Sequence, residues 1–132
     1  MSFKAVLDSH RPKLDEYETI YKHLHSRPEL STAEAETSKY IANHIAKNYP
    51  DVKVTTKVGG YGLFGVLGNG EGKTVLLRAD MDGLPLEEKT GAEYSSTVKA
   101  IDPFTQTERG VMHGEFFPIM LSKSVACDNE DR

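Results

Sequence analysis

Apolar residues in the first third of this chain recur at helical steps, and then the period changes. Leu14, Tyr17, Tyr21 and Leu24 fall three and four residues apart, the spacing of one buried stripe, and predict an amphipathic helix over residues 7–27. Pro12 suits only a first turn, and Pro28 ends the helix because the residue before a proline is pushed out of the α region. Ser31-Thr32-Ala33-Glu34 has the form of a capping box. It predicts a second helix to about Asn48, anchored by Tyr40, Ile41 and Ile45, with Pro50 beyond its end. After that the pattern alternates. Val52, Val54 and Val58 mark one strand, Gly59-Gly60-Tyr61-Gly62 a turn, and residues 63–67 a second strand. Asn69-Gly70 lies in a glycine-rich connection to a third strand at residues 74–78. Its unbroken run Val75-Leu76-Leu77 suits a central strand covered on both faces. The expected class is α/β: two helices followed by a three-stranded portion of a mixed sheet.

Composition narrows the function classes. At 132 residues the chain has the length of one domain, and 38% hydrophobic with 27% charged residues is ordinary for a globular protein. The net charge of −4, with lysines and arginines scattered, argues against a nucleic-acid surface, which needs a basic stripe. No apolar run is long enough to span a bilayer, and the first ten residues carry no signal-like apolar core. A single cysteine, Cys127, excludes an internal disulfide framework and points to a reducing compartment, so a cytoplasmic location is expected.

Candidate chemistry gathers around residues 78–83. Gly72-Lys73-Thr74 resembles the end of a phosphate-binding loop. It fails, because Leu67 stands where the first glycine is needed and the segment leads into a strand. Asp80-Met81-Asp82-Gly83 hints at a calcium loop, but its glycine arrives two positions early. Arg78, Asp80 and Asp82 remain, at the C-terminal end of the third strand, where open α/β sheets bind ligands. Two carboxylates so spaced can orient a metal-bound histidine or supply a ligand, although the segment alone also fits a solvated turn. His23 and His25 are two apart on a helix and face different ways, so they read as structural or surface groups. His10 and His44 have no evident partners in the sequence.

Taken together, several segments resemble the metal-dependent amidohydrolases that cleave N-acyl amino acids. That family includes hippurate, aminoacylase-like and indole-acetyl-amino-acid hydrolases, related to zinc and cobalt carboxypeptidases. The matching residues run from His25-Ser26-Arg27-Pro28-Glu29-Leu30-Ser31, with Glu34 and Thr37, through Gly59-Gly60-Tyr61-Gly62 and Val66-Leu67-Gly68-Asn69-Gly70. The most specific is Leu77-Arg78-Ala79-Asp80-Met81-Asp82-Gly83-Leu84-Pro85, followed by Glu88, Gly91, Tyr94, Ser95 and Gly110-Val111-Met112-His113. The resemblance implies the N-terminal part of a zinc-peptidase-like catalytic domain. It implies hydrolysis of the amide bond of an N-acyl amino acid or small peptide, with zinc, manganese or cobalt in the complete family enzyme. Asp82 matches the aspartate that supports the metal site and is the catalytic-site candidate. Asp80, Asp82 and His113 are the weak candidates for metal contact within this chain.

In the family, Met-His continues as Ala-Cys-Gly-His-Asp, whose Cys and His are ligands, with further ligands and a glutamate base later. This chain reads Gly114-Glu115-Phe116-Phe117-Pro118 instead, and Cys127 lacks the following Gly-His. The division expected is residues 1–113 as part of the amidohydrolase domain and residues 114–132 as an unrelated tail. Gly114-Glu115-Phe116 can be encoded GGT GAG TTT, which contains the splice-donor sequence GTGAGT, so translation of a retained intron is one origin and a short paralogue the other. The chain alone is expected to be inactive and to bind no metal. Self-association through an exposed strand edge is expected, and the alternative function is a non-catalytic interaction protein pairing with a full-length enzyme or another partner.

Overall fold

The computed structural model describes residues 2–11, 13–68 and 70–113, so the tail from residue 114, Cys127 included, lies outside the described residues. Helices and small antiparallel sheets make an α/β arrangement. The first expected helix is two: α1, Phe3–His10, and α2, Leu14–His25. Arg11 between them is extended at φ −63° and ψ 119°, the conformation imposed on a residue that precedes proline. The stripe is shorter than its spacing suggested. Leu14 is 65% exposed and Tyr17 and Tyr21 are half-buried, while Leu24 and His25 at the end of α2 are buried.

α3 runs Ala35–Asn48, ending where the pattern predicted but starting later than the capping box at Ser31 implied. The Glu34 carboxylate accepts from the nearby Thr32 N–H at 2.9 Å, and Thr32 itself sits at φ 71°. The helix start is capped by Glu29 instead, whose two carboxylate oxygens accept from the N–H groups of Glu36 (3.1 Å) and Thr37 (2.7 Å). An anion on the orphan donors of a first turn also complements the helix dipole. Thr37, Ser38, Ile41 and Ile45 form the buried face, and α3 packs on the hairpin that follows.

That hairpin is β1, Lys53–Val58, paired antiparallel with β2, Gly62–Val66, in the register Lys53↔Val66, Val54↔Gly65 and Thr55↔Phe64. The ladder shifts between Thr55 and Val58, and the turn passes through Gly59 and Gly60 at φ 62° and 118°. Left-handed backbone of this kind suits glycine.

The third strand is the main correction. Residues 74–78 form no strand, and Val75, Leu76 and Leu77 are 75%, 86% and 71% exposed. β-branched and aliphatic composition favours a strand only where a neighbour completes the ladder, and among the described residues none pairs with this segment. The second sheet lies elsewhere: β3, Lys99–Ile101, antiparallel to β4, Glu108–Gly110. Asp102 shapes its turn, accepting from the Phe104 N–H and the Thr105 hydroxyl at 2.8 Å each. The two sheets are separate, so the three-stranded mixed sheet is replaced by two antiparallel pairs. Among the described residues, mixed pairing survives only as two single bridges at residues 83 and 84. Gly83 bridges Leu30 in parallel and Leu84 bridges Met112 antiparallel. Leu30, Pro28 and Val111 are buried around this crossing.

Candidate functional site

The crossing draws three segments of the family-like pattern together. Gly83 N–H donates to the Glu29 carbonyl at 2.6 Å, and Leu84 and Met112 exchange bonds of 2.7 and 3.1 Å. Gly83 is required here by space rather than by its torsion. A Cβ on it would stand 2.9 Å from Val111 Cγ1, 3.0 Å from Pro28 Cβ and 3.2 Å from the Met112 carbonyl oxygen. Close backbone approach therefore sets Asp82, the preceding residue, near His113, the residue after Met112.

His113 is 3% exposed. Burial pushes its imidazole below the ordinary 6.5, the nearby His25 pushes the same way, and Asp82 opposes both. Asp82 is half-buried and within electrostatic reach of that ring. Asp80 goes elsewhere. It is exposed and accepts from the Arg78 guanidinium at 2.5 Å. Asp80, Met81 and Asp82 line an open cleft of about 340 Å³ together with Ser31, Thr32, Glu34 and the glycine turn at residues 58–62.

The metal candidates do not make a cage. Among the described residues, no three His, Cys, Asp or Glu side chains gather where one ion could sit. With Asp80 bound to Arg78, the set Asp80, Asp82 and His113 does not converge, and no step through a metal is derived from it.

Sequence reasoning missed a buried pair. His25 Nε2 lies 3.0 Å from Glu88 Oε1, across 63 residues of sequence, with the two side chains 7% and 0% exposed. The Thr90 hydroxyl donates to the same oxygen, and Ser96 N–H donates to Oε2 at 2.6 Å. Burial pushes the Glu88 carboxyl up, and the hydrogen bonds from Thr90, His25 and Ser96 outweigh it, holding the group at about 2. Tyr21 and Tyr94 flank the His25 ring, each 5.4 Å away between centroids. His23 faces away and stacks on Tyr40 at 4.3 Å, as their spacing on the helix required. His44 pairs with Asn48 at 3.0 Å on α3. The available signal was that His25 and Glu88 both fall inside family-like segments; helical periodicity alone could not join them.

No family model matches the chain. Curated proteins do. The N-acetyldiaminopimelate deacetylase of Bacillus licheniformis is 42% identical over 85 residues, 64% of this chain and 22% of that protein. The N-acetyl-L-cysteine deacetylase of Bacillus subtilis is 41% identical over 83 residues, 62% of this chain and 20% of that protein. The thermostable carboxypeptidase 2 of Saccharolobus solfataricus is 40% identical over 82 residues, 62% of this chain and 21% of that protein. The chain spans about a fifth of the length of the curated relatives it matches. Over that part, somewhat less than two thirds of its own residues, this chain is similar to N-acetyl-amino-acid deacetylases and a carboxypeptidase.

Proposed function

We propose that this chain is the N-terminal portion of an amidohydrolase domain whose reaction is hydrolysis of an amide bond in an N-acyl amino acid or small peptide. The observation that carries the reading is the crossing at Gly83, which sets Asp82 beside the buried His113. Deacetylase and carboxypeptidase relatives at about 40% identity support the substrate class. In a complete enzyme of this kind a divalent metal would supply the activation of water. The role proposed for this chain's residues is narrower: Asp82 supports the metal site from its edge, and the cleft beside it receives part of the substrate. Cytoplasm is the proposed compartment. No helix among the described residues is long and apolar enough to cross a membrane.

We further propose that the 132 residues alone do not turn over. Among the described residues the donors do not converge, and a metal able to activate water would need several fixed ligands with one open position. The test is hydrolysis of N-acetyl amino acids by the purified chain with zinc, manganese or cobalt. No turnover above background is expected, whereas restoring the family continuation after His113 is expected to create activity that Asp82→Ala severely reduces. Metal-dependent turnover by the 132-residue chain, lost in Asp82→Ala, would overturn the inactivity. Failure of the restored chain to hydrolyse any such substrate would overturn the amidohydrolase reading.

A second reading rests on a specific observation. Val75, Leu76 and Leu77 are each more than two-thirds exposed, an apolar run with unladdered backbone. Such a segment recruits other chains, and it supports self-association or pairing with a full-length enzyme.

A further inference from the structure

His25 and Glu88 are left unused by the reading above, and their setting is unusual. Burying a charged carboxylate is unfavourable unless it is fully hydrogen-bonded, and apolar side chains would fill the same space with less penalty. Glu88 is fully enclosed and ionised, with acceptor bonds to three donors from three different places in the chain: His25 at the end of α2, Thr90 and Ser96. His25 Nδ1 is buried without a hydrogen-bond partner among the described residues, so the Glu88 bond fixes the ring. The chain of contacts continues. The Ser96 hydroxyl donates to the Val111 carbonyl at 2.6 Å and accepts from Val98 N–H at 3.2 Å, while Val111 N–H donates to the Val98 carbonyl at 3.0 Å. Val111 is 1% exposed and is followed directly by the Met112 bridge to Leu84 and by His113.

We propose that His25 and Glu88 are positioning residues for the Asp82–His113 edge, acting through Ser96 and Val111. A satisfied buried polar network selects one arrangement where apolar packing would tolerate several. Here the arrangement selected is the placement of the segment after β4, which carries His113, against the crossing that carries Asp82. The inference rests on the reading that Asp82 and His113 border the functional site, but its test needs no turnover, so the two can fail separately.

The experiment uses the 132-residue chain, isotopically labelled, with imidazole and carboxylate resonances followed by NMR. In the parent protein the His25 ring is expected to carry its proton on Nε2, facing Glu88. Glu88→Gln keeps the shape and removes the charge; it should change the His25 signals and shift those of His113 and Asp82. Ser96→Ala removes only the hydroxyl link and should shift His113 and Asp82 while leaving the His25 signals in place. Ile45→Val, a core truncation in α3 outside the hydrogen-bonded network, controls for general loosening and should leave all three sites unchanged. His113 and Asp82 signals that move no more in Glu88→Gln and Ser96→Ala than in Ile45→Val would overturn the proposal. So would unfolding of both network variants with Ile45→Val folded, because the pair would then be a plain stability element.

Discussion

Replacing Gly83 with alanine adds one methyl group at the place where three backbone segments cross. The new carbon would sit 2.9 Å from Val111 Cγ1 and 3.0 Å from Pro28 Cβ, both well inside ordinary contact, and 3.2 Å from the Met112 carbonyl oxygen. Val111 and Pro28 are fully buried, so neither has free space to retreat into. Overpacking of this kind destabilises by about 1–3 kcal/mol. The reduced freedom of the unfolded chain returns about 0.4–1 kcal/mol. Those two ranges leave a net loss of up to about 2.6 kcal/mol, centred near about 1.3 kcal/mol. The assay is urea unfolding followed by far-UV circular dichroism, where a lower midpoint at unchanged slope reports lost stability. Gly68→Ala is the control, since a Cβ there meets nothing within 4 Å and the backbone is not left-handed. It should change stability by no more than about 0.5 kcal/mol, as surface substitutions usually do. A Gly83→Ala midpoint equal to that of the parent or of Gly68→Ala would refute the close-approach argument. It would also remove the reason given for Asp82 lying beside His113.

Three further outcomes are expected. Glu29→Ala should lower stability by about 1–2 kcal/mol through loss of two cap bonds to the start of α3, read by urea unfolding; an unchanged midpoint would mean that solvent caps the helix equally well. Acid should destabilise the protein from two groups of the same sign. Glu88, held at about 2 against an ordinary 4.5, contributes stability that is complete above pH 4.5 and lost as pH falls toward 2, and His113, pushed below 6.5 chiefly by burial, contributes stability present above 6.5 and lost below it. Urea midpoints measured from pH 8 to 3 should therefore fall, with a shallower acid limb in Glu88→Gln; parallel limbs would contradict the Glu88 assignment. Leu76→Lys should reduce self-association in sedimentation velocity, and an unchanged distribution would show that the apolar run at residues 75–77 is not the contact.

The local grammar was legible in the sequence. Pro28 was read as the end of the first helix and α2 stops just before it; the break at Arg11 was not anticipated, although its following proline dictates the extended backbone there. The alternation of valines and the glycine turn at residues 59–62 place β1 and β2 within a residue or two of their observed ends. The capping box misled because Ser31 and Glu34 fit a local rule, while Glu29 reached the same helix start from outside the motif. β3 and β4 were missed because three-residue strands carry too few positions to show a period.

By itself, then, the sequence determined where α2 and α3 end, one hairpin and the α/β class, and it carried the motifs around Asp82 and His113 that resemble the amidohydrolases. Those are properties of neighbouring residues, read from torsional limits and spacing. Only the tertiary structure decided that residues 74–78 stay outside any ladder and that Glu29 caps α3. It alone showed that Asp80 turns to Arg78 and that His25 meets Glu88 across 63 residues. Each of these depends on which distant partner completes a hydrogen bond or covers an apolar face, and a side chain's own identity does not specify that partner.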